Sequence, residues 1–181
     1  MDSSLNRPNS ARVVQAFRRL PKDGSVREII VGRVWIGNTR DASDISGILE
    51  KEIAAVVNLA IEELPVLYPR EVISCRFPLL DGEGNSEALL RVTIFTVHLF
   101  ISARTPILVT CSGGMSRSPA IVAAAIACAK NESPDEWLKT VTATGPHDVA
   151  PALWNEVKAS VAWMFSDPFD TTLDGTERTL I

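Results

Sequence analysis

The run Cys111-Ser112-Gly113-Gly114-Met115-Ser116-Arg117 sets a thiol and a guanidinium six positions apart around two adjacent glycines. That spacing means little alone, but its surroundings give it weight. Just before the cysteine, 106–110 (PILVT) has the composition of a buried strand. Just after the arginine, 118–130 (SPAIVAAAIACAK) has that of a helix buried on every side, with Pro119 tolerated in its first turn. Strand, glycine loop and helix N-terminus in this order form an anion site, because backbone N–H groups and the helix dipole face the ligand together. Gly113 and Gly114 are expected to let the loop curl through angles closed to other residues. The amides of Ser112, Gly113, Gly114, Met115 and Ser116 could then cradle a phosphate. Arg117 offers a planar fork for two phosphate oxygens. Cys111 lies where dipole and guanidinium both favour a thiolate, which is a nucleophile. The chemistry within reach is in-line attack on a phosphate monoester, giving a thiophosphate that water hydrolyses with no metal or cofactor required. Ser118 could donate its hydroxyl to the departing sulfur.

Around this loop, short β-like runs alternate with helical patterns. Strands are expected at 33–37 (RVWIG), 54–58 (AAVVN), 72–77 (VISCRF) and 106–110, the second and fourth fully buried. Helices are expected at 41–52, with Ile45, Ile48, Leu49 and Ile53 on one stripe, at 86–103 with Asn85 as N-cap, and at 118–130. Ser133-Pro134-Asp135-Glu136 carries a capping-box pattern that opens another, and a last helix runs over 151–165. The alternation predicts an α/β fold, a mainly parallel central sheet of about four to five strands flanked by helices.

The segment CSGGMSRS resembles the CX5R(S/T) signature of the protein tyrosine phosphatases, specifically their small dual-specificity branch. The resemblance extends to Arg33-Val34-Trp35-Ile36-Gly37-Asn38, similar to that branch's opening strand, and to Val56-Val57-Asn58-Leu59, similar to its second. It covers about 31–165. It implies a protein-tyrosine-phosphatase-like fold, a phosphorylated protein or peptide as substrate, and a general acid some thirty positions before the cysteine. Asp81 stands there, opening the loop Asp81-Gly82-Glu83-Gly84-Asn85, from which it could swing over the pocket, protonate the leaving oxygen and later act as base toward water. Glu83 is a weaker candidate, and either acid could be an ordinary turn residue. The family usually has His before the cysteine, where this chain has Thr110. No Lys or Arg lies between Cys111 and Arg117, which disfavours multiply phosphorylated lipids and RNA 5′-phosphates.

Length, composition and charge set the outer bounds. With 181 residues, 46% hydrophobic and 22% charged, the chain is expected to form one domain at 26–165 between an arm at 1–25 and a tail at 166–181. A net charge of -4 argues against broad nucleic-acid or membrane binding, and Arg18-Arg19 reads as a solvated patch. Cys75, Cys111 and Cys128 are widely spaced without a CxxC pair, which fits reduced thiols in a cytoplasmic protein. No signal peptide opens the chain, and the apolar run 120–129 is too short to span a bilayer. His98 and the loop pair His147-Asp148 make no metal site. Trp137, Trp154 and Trp163 sit at helical spacing as core residues. Two other functions remain open: a non-catalytic phosphate-binding module of the same fold, and arsenate reduction with Cys75 or Cys128 completing a thiol relay.

Overall fold

Residues 26–166 are described by the structure, a computed structural model, with side chains as far as Ala162. The arm at 1–25, the tail beyond 166 and the Trp163 side chain lie outside the described residues. Five strands form one sheet in the order β1-β2-β5-β3-β4: β1 (Arg27–Ile30), β2 (Val34–Gly37), β3 (Ala55–Ala60), β4 (Ile73–Leu79) and β5 (Ile107–Thr110). All neighbours are parallel except β1, which pairs antiparallel with β2 at the edge.

Strand periodicity explains why the sheet is covered on both faces. Val34, Ile36, Ala55, Val57, Ile107 and Val109 point into the larger core, while Trp35, Val56 and Leu108 between them point into a smaller one with Ile48, Ile53 and Val72. Among the described residues six helices supply the cover: α1 (Thr39–Ser43), α2 (Ile45–Glu50), α3 (Glu87–Ser102), α4 (Arg117–Lys130), α5 (Pro134–Thr142) and α6 (Pro151–Ser166). Every residue of α4 from Arg117 to Ala127 is buried, and the helix packs against α3, α5 and α6. Its small alanines admit those three neighbours at close range. Asn131 in left-handed conformation ends it.

Four sequence expectations need correction. The helix expected at 41–52 is two short ones, because Asp44 leaves helical geometry to end α1 and accepts from the Gly47 N–H to cap α2. Ser86, not Asn85, caps α3 through the Leu89 N–H. Ser133 occupies the N-cap of α5 without making a capping bond, and the first-turn acids that would complete a capping box are engaged elsewhere. Asp135 accepts from Trp154 Nε1 (2.8 Å) and pairs with Lys158 (3.4 Å), while Glu136 pairs with Lys139 (2.7 Å). Finally, β1 went unread because REII is short, partly exposed and lacks alternation.

Candidate active site

Cys111 follows β5, the middle strand, at the carboxyl ends of the parallel strands, where open α/β sheets place their ligands. Its side chain is 3% exposed. The loop that follows is shaped from outside. The Ser112 carbonyl accepts from Thr39 N–H (3.3 Å) and Oγ1 (3.4 Å), the Gly114 carbonyl from Arg27 Nη2, and the Met115 carbonyl from Asp148 N–H (2.8 Å). The peptide bonds of the described residues are all trans, so each of these carbonyls points opposite to the N–H that follows it. The N–H groups of Gly113, Met115 and Ser116 therefore turn away from Thr39, Arg27 and Asp148. This is how a backbone concavity for an anion is made.

Of the two glycines, only Gly114 uses the left-handed region, with φ of 69°, and a Cβ there would lie 2.9 Å from the Gly37 carbonyl oxygen. Gly113 does not have positive φ, which corrects the expectation that both residues needed it. The helix end is left accessible too. Ser116 stands at the N-cap of α4, but its hydroxyl donates to Asp81 Oδ1 (2.5 Å) and makes no capping bond.

Arg117 is 1% exposed; both terminal nitrogens of its guanidinium are engaged, while Nε is buried with no hydrogen-bond partner among the described residues. Nη1 donates to Glu62 Oε2 (2.7 Å) and the Leu79 carbonyl (3.0 Å), while Nη2 donates to Glu62 Oε1 (2.5 Å) and Ser112 Oγ (3.2 Å). Asp81 Oδ2 lies 3.6 Å from Nη2. Burial works against the charged fork, but the Glu62 hydrogen bonds and the charges of Cys111, Asp81 and Glu62 outweigh it and raise the Arg117 pKa. Hydrogen bonding to Arg117 in turn pulls the Glu62 carboxyl down to about 2, with Ser112 Oγ adding a bond of 2.5 Å. A carboxylate thus already sits in a bidentate grip on Arg117, bonded also to the residue that follows the candidate nucleophile.

The acid loop after β4 is pinned at several points. Asn85 accepts from Leu80 N–H (2.8 Å) and donates to the carbonyls of Gly82 (3.1 Å) and Leu80 (3.3 Å). Glu156 on α6 accepts from the N–H groups of Gly84 (2.8 Å) and Asn85 (3.3 Å). Asn85 serves the loop rather than the helix, and the result holds Asp81 beside Ser116 and Arg117. Ser118 is fully buried, and its hydroxyl has no hydrogen-bond partner among the described residues. Thr110 donates to Asn58 Oδ1 (2.7 Å), whose amide donates to Tyr68 (3.2 Å).

The remaining candidates lie apart. His147 is exposed, and its loop meets the cradle only through the Asp148 backbone. Cys128 stands eleven residues along α4 from Arg117, roughly 16 Å by helical rise, too far for a disulfide with Cys111. Cys75 lies two strands from β5 and level with Val109, about 10 Å away laterally. Burial raises the pKa of both thiols, that of Cys128 to about 11. Sequence reasoning missed Glu62, Arg27, Asn58 and Glu156. Glu62 had a signal: an acid just past the carboxyl end of a buried parallel strand, where ligands bind.

No family model and no curated protein matches the sequence. Solved structures do. Human DUSP28 superposes with a TM-score of 0.68 at 20% identity, covering 78% of this chain and 98% of that one. The fold is that of the dual-specificity phosphatases. A mouse putative dual specificity phosphatase complexed with zinc tungstate gives a TM-score of 0.68 at 20% identity over 79% of this chain and 90% of its own. A human tyrosine phosphatase-like serine/threonine/tyrosine-interacting protein gives 0.67 at 16% identity, covering 77% and 97%. The dual-specificity fold expected from CSGGMSRS is thus present, its five-stranded sheet flanked by helices. No helix among the described residues is long and apolar enough to cross a membrane.

Proposed function

We propose that the protein is a cysteine-dependent phosphatase acting on phosphorylated proteins or peptides. The observation that supports this reading is the grip on Glu62: a buried arginine fork and the hydroxyl of Ser112, the residue after Cys111, hold an anion within the Cys111–Arg117 loop. A phosphate monoester would displace that carboxylate, which is half exposed and free to leave. Its equatorial oxygens would then take the Arg117 fork and the N–H groups of Gly113, Met115 and Ser116. The Cys111 sulfur attacks phosphorus in line, the bond to the ester oxygen breaks, and protonated Asp81 gives its proton to that oxygen. Water next attacks the thiophosphate and surrenders a proton to Asp81, while inorganic phosphate leaves. The Ser118 hydroxyl, without another partner, is available to stabilise the returning sulfur anion.

The mouth of the site favours a protein substrate carrying an isolated phosphate. Glu62 and Asp81 contact Arg117 there, and their chain neighbours Ile61 and Leu80, with Met115 of the loop itself, add exposed apolar surface. Additional phosphate groups would meet repulsion there. Binding of tungstate, a tetrahedral oxyanion, by the mouse neighbour supports the same class of ligand.

A non-catalytic phosphate-binding module is the second reading, favoured by the likeness to a phosphatase-like interacting protein and by the carboxylate already on Arg117. Hydrolysis of a small aryl phosphate under reducing conditions separates the two. The proposed function predicts turnover in the wild type and none in Cys111→Ser. Phosphopeptide binding by the wild type without phosphate release would establish the module instead.

A further inference from the structure

Arg27 sits on the edge strand β1, and its Nη2 donates to the carbonyl of Gly114 inside the cradle sequence. Its Nη1 is buried and has no hydrogen-bond partner among the described residues. A guanidinium keeps its charge in proteins, so a partly buried fork with one nitrogen unsatisfied needs a compensating field. The loop before α6 closes over it: a Cβ on Gly145 would lie 2.6 Å from Arg27 Cδ, so a larger residue there would have to push the arginine side chain aside. Burial lowers the Arg27 pKa and the charge of Cys111 opposes that change, which puts guanidinium and sulfur within electrostatic range.

The other charges near the sulfur explain why a second cation matters. Arg117 approaches from α4, but Glu62 and Asp81, from the loops after β3 and β4, pair with it and offset its field at the sulfur. Asp148, from the loop before α6, meets the cradle through its backbone N–H. Thr110, immediately before the nucleophile, is neutral, and its hydroxyl is committed to Asn58. Among the described residues no carboxylate lies within ion-pair distance of Arg27.

We propose that Arg27 is a positioning residue for the nucleophile, locking the Gly114–Met115 peptide with its N–H turned into the cradle and holding the Cys111 sulfur as an anion. The proposal rests on the reading of Cys111 as the nucleophile, and its test needs no turnover. Alkylation of Cys111 by iodoacetamide is followed against pH in the full chain, site by site by peptide mass spectrometry. Wild type is compared with Arg27→Gln, Arg27→Met and Arg27→Lys. Removing the charge should move the midpoint of the Cys111 curve up by about 0.5–1 pH unit, so that alkylation near pH 6 slows by about 3–10-fold. Lysine, which keeps the charge, should recover at least half of that shift.

Superposed curves for wild type and a folded neutral variant overturn the proposal. So does a lysine variant as shifted as the glutamine one, or collapse of both neutral variants, which would make the charge a requirement of folding. A wild type inert toward phosphate esters but with Arg27-dependent alkylation would refute the proposed function alone. An active enzyme with superposed curves would refute only the role of Arg27.

Discussion

The mouth of the Cys111–Arg117 loop and its outer wall are built from different materials. At the mouth, Arg117 meets one main-chain carbonyl, that of Leu79, and otherwise side chains carried on loops, of which the carboxylates Glu62 and Asp81 are 48% and 49% exposed. Along the wall, contacts fall on main-chain carbonyls: those of Ser112, Gly114 and Met115 are held by Thr39, Arg27 and Asp148, and that of Gly37 abuts Gly114. Side-chain partners at the front can leave when another anion arrives. Backbone clamps at the rear fix amide directions beforehand, so no reorganisation is left for the moment of reaction. On the proposed function, the front governs binding and leaving-group chemistry, and the rear governs whether a cradle exists.

Substitutions should separate these roles. The largest effect is expected at the mouth: Arg117→Ala should lower kcat/KM toward an aryl phosphate by about 10³-fold or more, since it removes the fork that stabilises the transferring group. Asp81→Asn should lower kcat by roughly 10²-fold with an alkyl phosphate and far less with a good aryl leaving group, which needs little protonation. A loss independent of leaving group would assign Asp81 to structure. At the wall, Gly114→Ala should destabilise the fold by about 1–3 kcal/mol through its strained φ and the contact with the Gly37 carbonyl. It should also cost about tenfold in kcat through misplacement, read by thermal melting beside kinetics. Full activity and unchanged melting would break the division between mouth and wall.

The smallest effect is expected at Glu62. Glu62→Ala should reduce KM by about 3-fold and change kcat less, because it removes a competitor for the fork. A fall in kcat without a gain in binding would make Glu62 a support for Arg117 instead. The pH sign follows from a carboxyl depressed to about 2 from 4.5. Its stabilisation is complete above about pH 4.5 and is lost as pH falls toward 2, so competition persists across ordinary assay pH. Acid unfolding of Glu62→Ala should accordingly depend less steeply on pH between those values than that of the wild type.

The buried center of the molecule was legible in the sequence, and its periphery was not. PILVT and SPAIVAAAIACAK declare a strand and a helix because each is apolar on all sides, and the chemistry lies between them. β1 and the break at Asp44 escaped because short, half-exposed segments owe their form to partners distant in sequence or to a single capping carboxylate. The same limit applies within the site. Cys111 and Arg117 are joined by local spacing, whereas Arg27 and Glu62 come to the loop from 87 and 55 residues away. Asn85 was recognised as a polar residue before a helix, but its task, tying Leu80 to Gly82, depends on a loop conformation that no periodicity encodes.

Rapid acid quench of a reaction with a phosphotyrosyl peptide carrying radiolabelled phosphate tests the central claim most directly. Covalent label should appear on the peptide containing Cys111 in the wild type, at up to one phosphoryl group per chain, and be absent from Cys111→Ser. Peptide hydrolysis with no label on Cys111, or hydrolysis that survives its replacement by serine, would contradict the account.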